Sequence, residues 1–173
     1  MAEAEGQPVR QPRQTWRAGS IVEIPLAENC RAYAQLGALP VCGFLDGRFC
    51  ERATVQEILR LPLLFKIWVF RSAVTRGRWL KIGSAPVRAD IAHEDHFWKQ
   101  DPLSGALAIY HSEYAVTNRE RPARLSECVS LECAAVWEAA HVEDRLNAHY
   151  FGTENPWTPA IDVSRVPQHQ RDC

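Results

Sequence analysis

The stretch Leu63-Leu-Phe-Lys-Ile-Trp-Val-Phe70 is the most apolar run in this chain and the one that decides its fold. In an extended strand its apolar side chains divide between two faces, Leu63, Phe65, Ile67 and Val69 against Leu64, Trp68 and Phe70. A strand that is apolar on both faces is typically buried on both sides. Lys66 and the following Arg71 make the run too short to span a bilayer. We therefore predict a central strand here, with the other elements packed around it.

Shorter alternating stretches predict further strands on both sides of this run. Ile21–Leu26 and Arg31–Leu36 are predicted to form a hairpin through a turn at Glu28-Asn29-Cys30. Pro25 has no amide N–H to donate to a neighbouring strand, so the first of these strands is expected at an edge or at a bulge. Later strands are predicted at Trp79–Ile82, Ala106–His111 and Cys133–Trp137.

Two helices interrupt the strands. Thr54 and Glu57 form a capping-box pattern ahead of a short helix, which Pro62 ends. Val142–Tyr150 carries apolar residues at helical spacing, and Gly152 follows where helices commonly end. Strands that outnumber helices predict an α+β fold. We expect a strongly bent antiparallel sheet, partly open and barrel-like, with one short inserted helix and one C-terminal helix.

The chain has 173 residues and is predicted to form a single α+β domain over residues 16–157. Residues 1–15 are expected to be a disordered arm, and residues 158–173 an irregular C-terminal tail. A net charge of −1 argues against nucleic acid as a partner. With no apolar signal core and no spanning segment, we predict a cytoplasmic protein without a membrane partner. The cysteines are then expected to be reduced, packing as small hydrophobic residues at Cys42, Cys128 and Cys133.

Several segments follow one another in an order that resembles a bacterial family. They are Val22–Leu26 with Tyr33–Leu36, Leu64–Phe70 with Gly77-Arg-Trp79 and Ile82-Gly83, Phe97–Tyr110, and Ala135-Val-Trp137 with Val142–Leu146. Over residues 16–157 the chain resembles the immunity-26/HocA-type phosphotriesterase family. The resemblance implies one of two activities, hydrolysis of organophosphate triesters such as coroxon-like substrates or neutralisation of a bacterial toxin. The partner is accordingly a small organophosphate or a cognate toxin domain.

The densest polar cluster is Asp90-Ile-Ala-His-Glu-Asp-His96. On one helical turn with Asp90 as N-cap, His93 and His96 would share a face and could bind a divalent metal ion. Such an ion lowers the pKa of its bound water to about 7 and polarises a phosphoryl oxygen, which suits triester hydrolysis. Two histidines three residues apart in a polar segment more often belong to a solvated loop without a ligand. A third metal ligand would have to come from His111, Asp101 or Asp46.

Next to this cluster lie the motif residues Trp98, Lys99 and Asp101. Lys99 could stabilise a phosphoryl anion, while Asp101 or His111 could act as the catalytic base. The dipeptide Asp101-Pro102 is also the usual beginning of a type I turn, so a purely structural role is the alternative for Asp101.

Tyr33, Trp79 and Trp98 would form an apolar pocket for an aryl-bearing triester if one side of the sheet stays uncovered. If it is covered, they belong to the core. The same exposed surface could dock a toxin, because aromatic side chains are favoured anchors at interfaces. No G-x-S-x-G or H-E-x-x-H motif of common hydrolases occurs. We favour triester hydrolysis because of His93 and His96, and toxin neutralisation is the alternative.

Overall fold

Ten strands divide into two sheets in the described part of the chain, residues 13–93, 95–111 and 119–165 of the computed structural model. The larger sheet contains β1 (Ser20–Pro25), β2 (Arg31–Leu36), β3 (Val41–Phe49), β4 (Leu63–Val69), β5 (Leu80–Ser84) and β10 (Val136–Trp137). Its order is β10-β4-β3-β2-β1-β5. The smaller sheet contains β6 (His96–Gln100), β7 (Leu107–His111), β8 (Glu120–Pro122) and β9 (Glu132–Cys133). Its order is β8-β7-β6-β9.

Short helices connect the strands, and only one of those described exceeds two turns. They are α1 (Val55–Leu59), α2 (Ser72–Thr75), α3 (Ala89–Ala92), α4 (Leu125–Cys128), α5 (Ala139–Phe151) and α6 (Thr158–Ile161), followed by a 3-10 turn at Val163–Arg165. The predicted α+β class is confirmed. Instead of one bent, barrel-like sheet there are two sheets, and neither closes into a barrel. Among the described helices, none combines the length and apolar character needed to cross a bilayer.

The predicted central strand is β4, which pairs antiparallel with β3 and parallel with β10. Ile67 and Val69, on one face, are fully buried, whereas Trp68 on the other face is only partly buried and Phe70 is exposed. The predicted burial on both sides therefore holds fully for one face only. The predicted strand at Cys133–Trp137 is split in two. Its first part, β9, pairs with β6 in the smaller sheet, and its second part, β10, pairs with β4 in the larger one. The chain therefore crosses from one sheet to the other within residues 132–137.

The predicted hairpin forms from β1 and β2. Its turn places Glu28 and Asn29 at φ values of 57° and 56°, a left-handed region that Asn tolerates better than most residues. β1 is not an edge strand, because β5 pairs with its other side. That pairing extends only from Ser20 to Glu23, so Pro25 lies beyond it and its missing N–H costs no bond to β5.

Both predicted helix signals have the expected geometry. The Thr54 hydroxyl accepts from the backbone N–H of Glu57, and the Glu57 carboxylate accepts from the N–H of Thr54 at 2.8 Å. At the other helix, Gly152 adopts φ 67° directly after α5. A glycine enters this left-handed conformation without the steric penalty of a Cβ atom, so the helix ends there.

Three apolar cores hold the elements together. The largest lies between one face of the larger sheet and α5, and includes Phe44, Ile67 and Val142. A second lies on the opposite face, where Ile58 of α1 and Ile91 of α3 pack against the sheet. The third belongs to the smaller sheet and is built around Trp98, Leu107, Ile109, Cys128 and Val163.

Parts of the expected arm and of the expected tail have defined positions in the described chain. The side chain of Gln14 donates to the carbonyls of Val74 and Trp79 and accepts from the N–H of Lys81 at 2.7 Å. Residues 13–15 of the expected arm are therefore attached to the larger sheet, and residues 1–12 lie outside the described chain. Of the expected irregular tail, residues 158–165 are helical and Val163 is buried, while residues 166–173 lie outside the described residues.

Replacing Ile67 by Ala is expected to lower the free energy of unfolding by about 2–5 kcal/mol, because it leaves a cavity at a fully buried side chain. The control is Val129→Ala at a side chain that is 63% exposed, expected to change stability by less than about 0.5 kcal/mol. Urea denaturation of both variants measures the difference. Equal effects would show that β4 is not central.

Candidate functional site

A cavity of about 530 Å³ lies where the two sheets approach each other. We call it the histidine cleft. One wall comes from β4 and the other from β6 and β7, and the connection from α3 to β6 closes it on a third side. Its polar lining residues are Lys66, Asp90, His93, Asp95, His96, His111, Ser130 and Glu132. A volume of this size is within the range of small-molecule sites.

Lys66 is the buried charge of this cleft, with only 7% of the residue exposed. Its ammonium group donates to the carbonyl oxygens of Asp90 and His93, each at 2.7 Å, and lies 2.8 Å from Oδ2 of Asp95. Burying an ammonium ion is costly unless it is paired and hydrogen-bonded, and these partners meet that need. Lys66 thus attaches the α3–β6 connection to β4. The sequence signal for this residue is a lysine within the apolar central run, and the predicted site residues do not include it.

His96 and His111 face each other across β6 and β7. Their ring centroids are 4.2 Å apart, with the ring planes at 76°. His96 is exposed and His111 half-buried, and both line the histidine cleft. Imidazole exchanges protons near neutral pH, so a contacting pair can act as a base and a hydrogen-bond donor within one site.

The predicted arrangement of His93 and His96 on one helical turn is wrong. α3 ends at Ala92, and His93 is already extended, with ψ 139°. Lys66 donates to the carbonyls of Asp90 and Ile91 in this helix and to that of His93 just beyond it. Within the described residues no group of three or more His, Cys, Asp or Glu side chains is arranged to hold a metal ion. The divalent metal stays a prediction.

Asp101 is placed away from the histidines. It lies at the turn of the β6–β7 hairpin, whereas His96 and His111 lie at the open end. Its Oδ1 accepts from the N–H groups of Leu103 and Ser104, at 3.0 and 2.7 Å. The bond from the Ser104 N–H is the main cause that lowers the pKa of Asp101, which makes it a weak base. The alternative role of Asp101 in the turn is therefore the one observed, and its role as a catalytic base stays a prediction.

Lys99 is also outside the histidine cleft. Its ammonium group forms an ion pair with Glu120 of β8, and both side chains are more than a third exposed. Lys99 therefore joins two strands of the smaller sheet at the surface, and its role in stabilising a phosphoryl anion stays a prediction.

The three aromatic residues predicted to form a pocket are separated from one another. Tyr33, Trp79 and Trp98 belong to three different cores and are all at most 5% exposed. The Tyr33 hydroxyl accepts from the N–H of Ala53 at 2.9 Å, and Nε1 of Trp79 donates to Glu143 at 2.9 Å. The three side chains therefore belong to the cores, which is the alternative given for them, and they do not line one common pocket.

A different set of aromatic residues lines a second cavity, of about 470 Å³, which we call the aromatic cleft. Trp68 contacts Phe97 and Tyr110, with ring centroids 4.5 and 5.6 Å away. His93, Asp95 and Phe97 line both this cleft and the histidine cleft, so the two adjoin. Phe97 and Tyr110 alternate with Trp98 and Ile109, and it is this other face of β6 and β7 that meets the cleft.

The cysteine thiols in the cores are poor candidates for nucleophiles. Cys42 and Cys128 are fully buried, as expected, and Cys133 is partly buried. Burial raises the pKa of all three thiols, to about 11 for Cys133. A thiol reacts as its thiolate, so a raised pKa lowers the reactivity of these three thiols as nucleophiles at neutral pH.

Comparison with family models, curated proteins and solved structures gave no match. The two clefts are therefore the features of the molecule that point to a function. One offers imidazoles and a polar lining, and the other offers aromatic walls of the kind that hold an aryl or alkyl group.

Replacing Lys66 by Met is expected to destabilise the fold by about 3–5 kcal/mol, because the Asp95 carboxylate and two carbonyl groups lose their buried partner. Lys99→Met is the matched control. It removes an ion pair at the surface and is expected to cost less than about 1 kcal/mol. Urea denaturation compares the two variants. If they unfold alike, Lys66 does not anchor the α3–β6 connection.

Proposed function

We propose that the histidine cleft is the active site of a small hydrolase that acts on neutral organophosphate triesters. The observation that carries the proposal is the contact between His96 and His111 in a cavity that adjoins the aromatic cleft. The resemblance in sequence to the immunity-26/HocA-type phosphotriesterase family supports the same substrate class.

The chemistry needs an activated water molecule and a group that absorbs charge on the phosphoryl oxygen. One imidazole removes a proton from water. The water oxygen then forms a bond to phosphorus while the bond from phosphorus to the leaving aryloxide breaks. The other imidazole, in its protonated form, donates a hydrogen bond to the phosphoryl oxygen. A divalent ion on the same imidazoles would supply both effects, and assays with and without a chelator test for one.

In this proposal the aromatic cleft binds the substrate, and the reaction takes place in the histidine cleft. Trp68, Phe97 and Tyr110 give it rigid apolar walls, and its boundary with the histidine cleft lies at His93 and Asp95. An aryl group held there would place the phosphorus atom toward His96 and His111. This arrangement favours triesters with one aromatic substituent, because a small trialkyl ester fills less of the cleft.

Replacing His96 or His111 by Ala is expected to lower kcat for a chromogenic aryl phosphotriester at least about 100-fold, the lower range for loss of an acid–base group. His141→Ala is the control, because His141 stacks on Trp157, away from both clefts. Initial rates of aryloxide release measure the effect. Full activity in both cleft variants would refute the site, and a wild-type chain without turnover would refute the enzyme.

Toxin neutralisation is the second candidate, and a specific surface favours it. Leu39, Phe70 and Val136 are 42–48% exposed. They lie beside one end of β4, where the N–H of Val69 donates to the Pro40 carbonyl and the N–H of Phe70 to that of Trp137. Exposed apolar side chains of this kind are typical of protein-binding surfaces. The partner proposed for them is a cognate toxin domain.

One pair of variants distinguishes toxin binding from triester hydrolysis. Phe70→Asp is expected to weaken binding of a toxin domain encoded beside the gene at least about 10-fold and to leave hydrolysis intact, since a charge disrupts an apolar contact. Leu103→Asp is the control, at a side chain 96% exposed on the far hairpin turn. Calorimetric titration measures binding. A toxin that binds the Phe70 variant as tightly as the wild type would argue against this surface.

A further inference from the structure

Cys30 and Cys50 form a pair of thiols outside both clefts. Their sulfur atoms are 3.2 Å apart. Cys30 directly precedes β2 and is 5% exposed, whereas Cys50 directly follows β3 and is exposed. The two chain segments are held in place by the adjoining β2–β3 ladder and by the Arg31 side chain, which donates to the Cys50 carbonyl at 3.1 Å.

The backbone places these residues where a disulfide requires them. Arg31 pairs with Phe49 in the antiparallel ladder, so Cys30 and Cys50 are the next pair outward in the same register. Directly opposed residues of antiparallel strands have Cα atoms roughly 4.5–5.5 Å apart. Disulfides span Cα separations of roughly 4.4–6.8 Å. The pair can therefore be joined without separating β2 from β3.

The two thiols differ in their surroundings. Either sulfur can donate the hydrogen bond between Cys30 and Cys50. This bond is the main cause that raises the pKa of Cys30, and burial adds to it. Cys30 therefore stays protonated near neutral pH, and its Sγ also lies 3.6 Å from the carbonyl oxygen of Glu28. Cys50 is the thiol that is accessible to a reagent in solution, and Cys30 lies close enough to attack the Cys50 sulfur afterwards.

We propose that Cys30 and Cys50 are an oxidation site that forms a reversible disulfide with low-molecular-weight disulfides such as oxidised glutathione. The Cys50 thiolate attacks one sulfur of the reagent, forming a mixed disulfide and releasing one thiolate. The Cys30 thiol then loses its proton and its sulfur attacks that of Cys50, which releases the second thiolate. The chain loses two electrons and two protons, and the reagent becomes two thiols.

The other cysteines provide internal comparisons. Cys42 and Cys128 are fully buried in separate cores, which protects their thiols from a reagent in solution. The cross-link would enclose residues 30–50, which restricts the unfolded chain more than the folded one. Oxidation is therefore expected to stabilise the fold rather than disturb it.

The full chain, first reduced, is incubated with oxidised glutathione at neutral pH, alkylated and mapped by mass spectrometry. The expected result is a cross-link between the peptides of Cys30 and Cys50, with a Tm higher by roughly 6–12 °C that dithiothreitol reverses. Cys50→Ala is expected to show neither effect. Cys128→Ala, the control, is expected to retain both.

Three outcomes would overturn the proposal. One is a chain in which Cys50 stops at the mixed disulfide with glutathione. Another is a dominant cross-link between other cysteines, such as one involving Cys173. The third is a Cys30–Cys50 cross-link that forms only after unfolding in urea, because the proposal requires the folded chain to bring the thiols together.

Discussion

The buried ammonium group of Lys66 is the interaction on which the rest of the structure depends. A charge in the central strand of an apolar sheet is tolerated only when polar partners surround it. The carbonyl groups of Asp90 and His93 and the carboxylate of Asp95 fill that role. Since these groups must converge on one atom, α3 ends there and the chain leaves it extended. The second sheet begins directly afterwards, at β6.

A second charged residue, Arg145, binds the segment at which the chain passes from the smaller sheet to the larger one. Arg145 of α5 donates to both carboxylate oxygens of Glu132, at 2.9 and 2.7 Å, and its guanidinium lies 3.9 Å from the centre of the Phe65 ring. Glu132 belongs to β9, just before the chain enters the larger sheet at β10. The histidine cleft lies between the Arg145–Glu132 ion pair and Lys66, and Glu132 and Lys66 both line it.

The electrostatics of the cleft divide its lining into two groups. The carboxylates are in ion pairs, Asp90 with Arg88, Asp95 with Lys66 and Glu132 with Arg145. The hydrogen bond from Arg88 is the main cause that lowers the pKa of Asp90. These carboxylates therefore take part in structural ion pairs, whereas His96 and His111 contact each other through their rings. Because the clefts adjoin along His93–Phe97, a ligand in one can contact residues of the other, which is the basis of the proposed hydrolysis.

The sequence alone determined the local elements, namely the hairpin of β1 and β2, the capping box of α1, the glycine that ends α5 and the apolar strand β4. Each depends on residues close together in the chain. Only the tertiary structure decided which face of a strand is covered, and this placed Tyr33 and Trp98 in cores and Trp68 in a cleft. It also decided the split into two sheets, because β9 and β10 have two residues each, too few to show a period. The partners of Lys66 lie 24–29 residues away, a distance that no local pattern encodes.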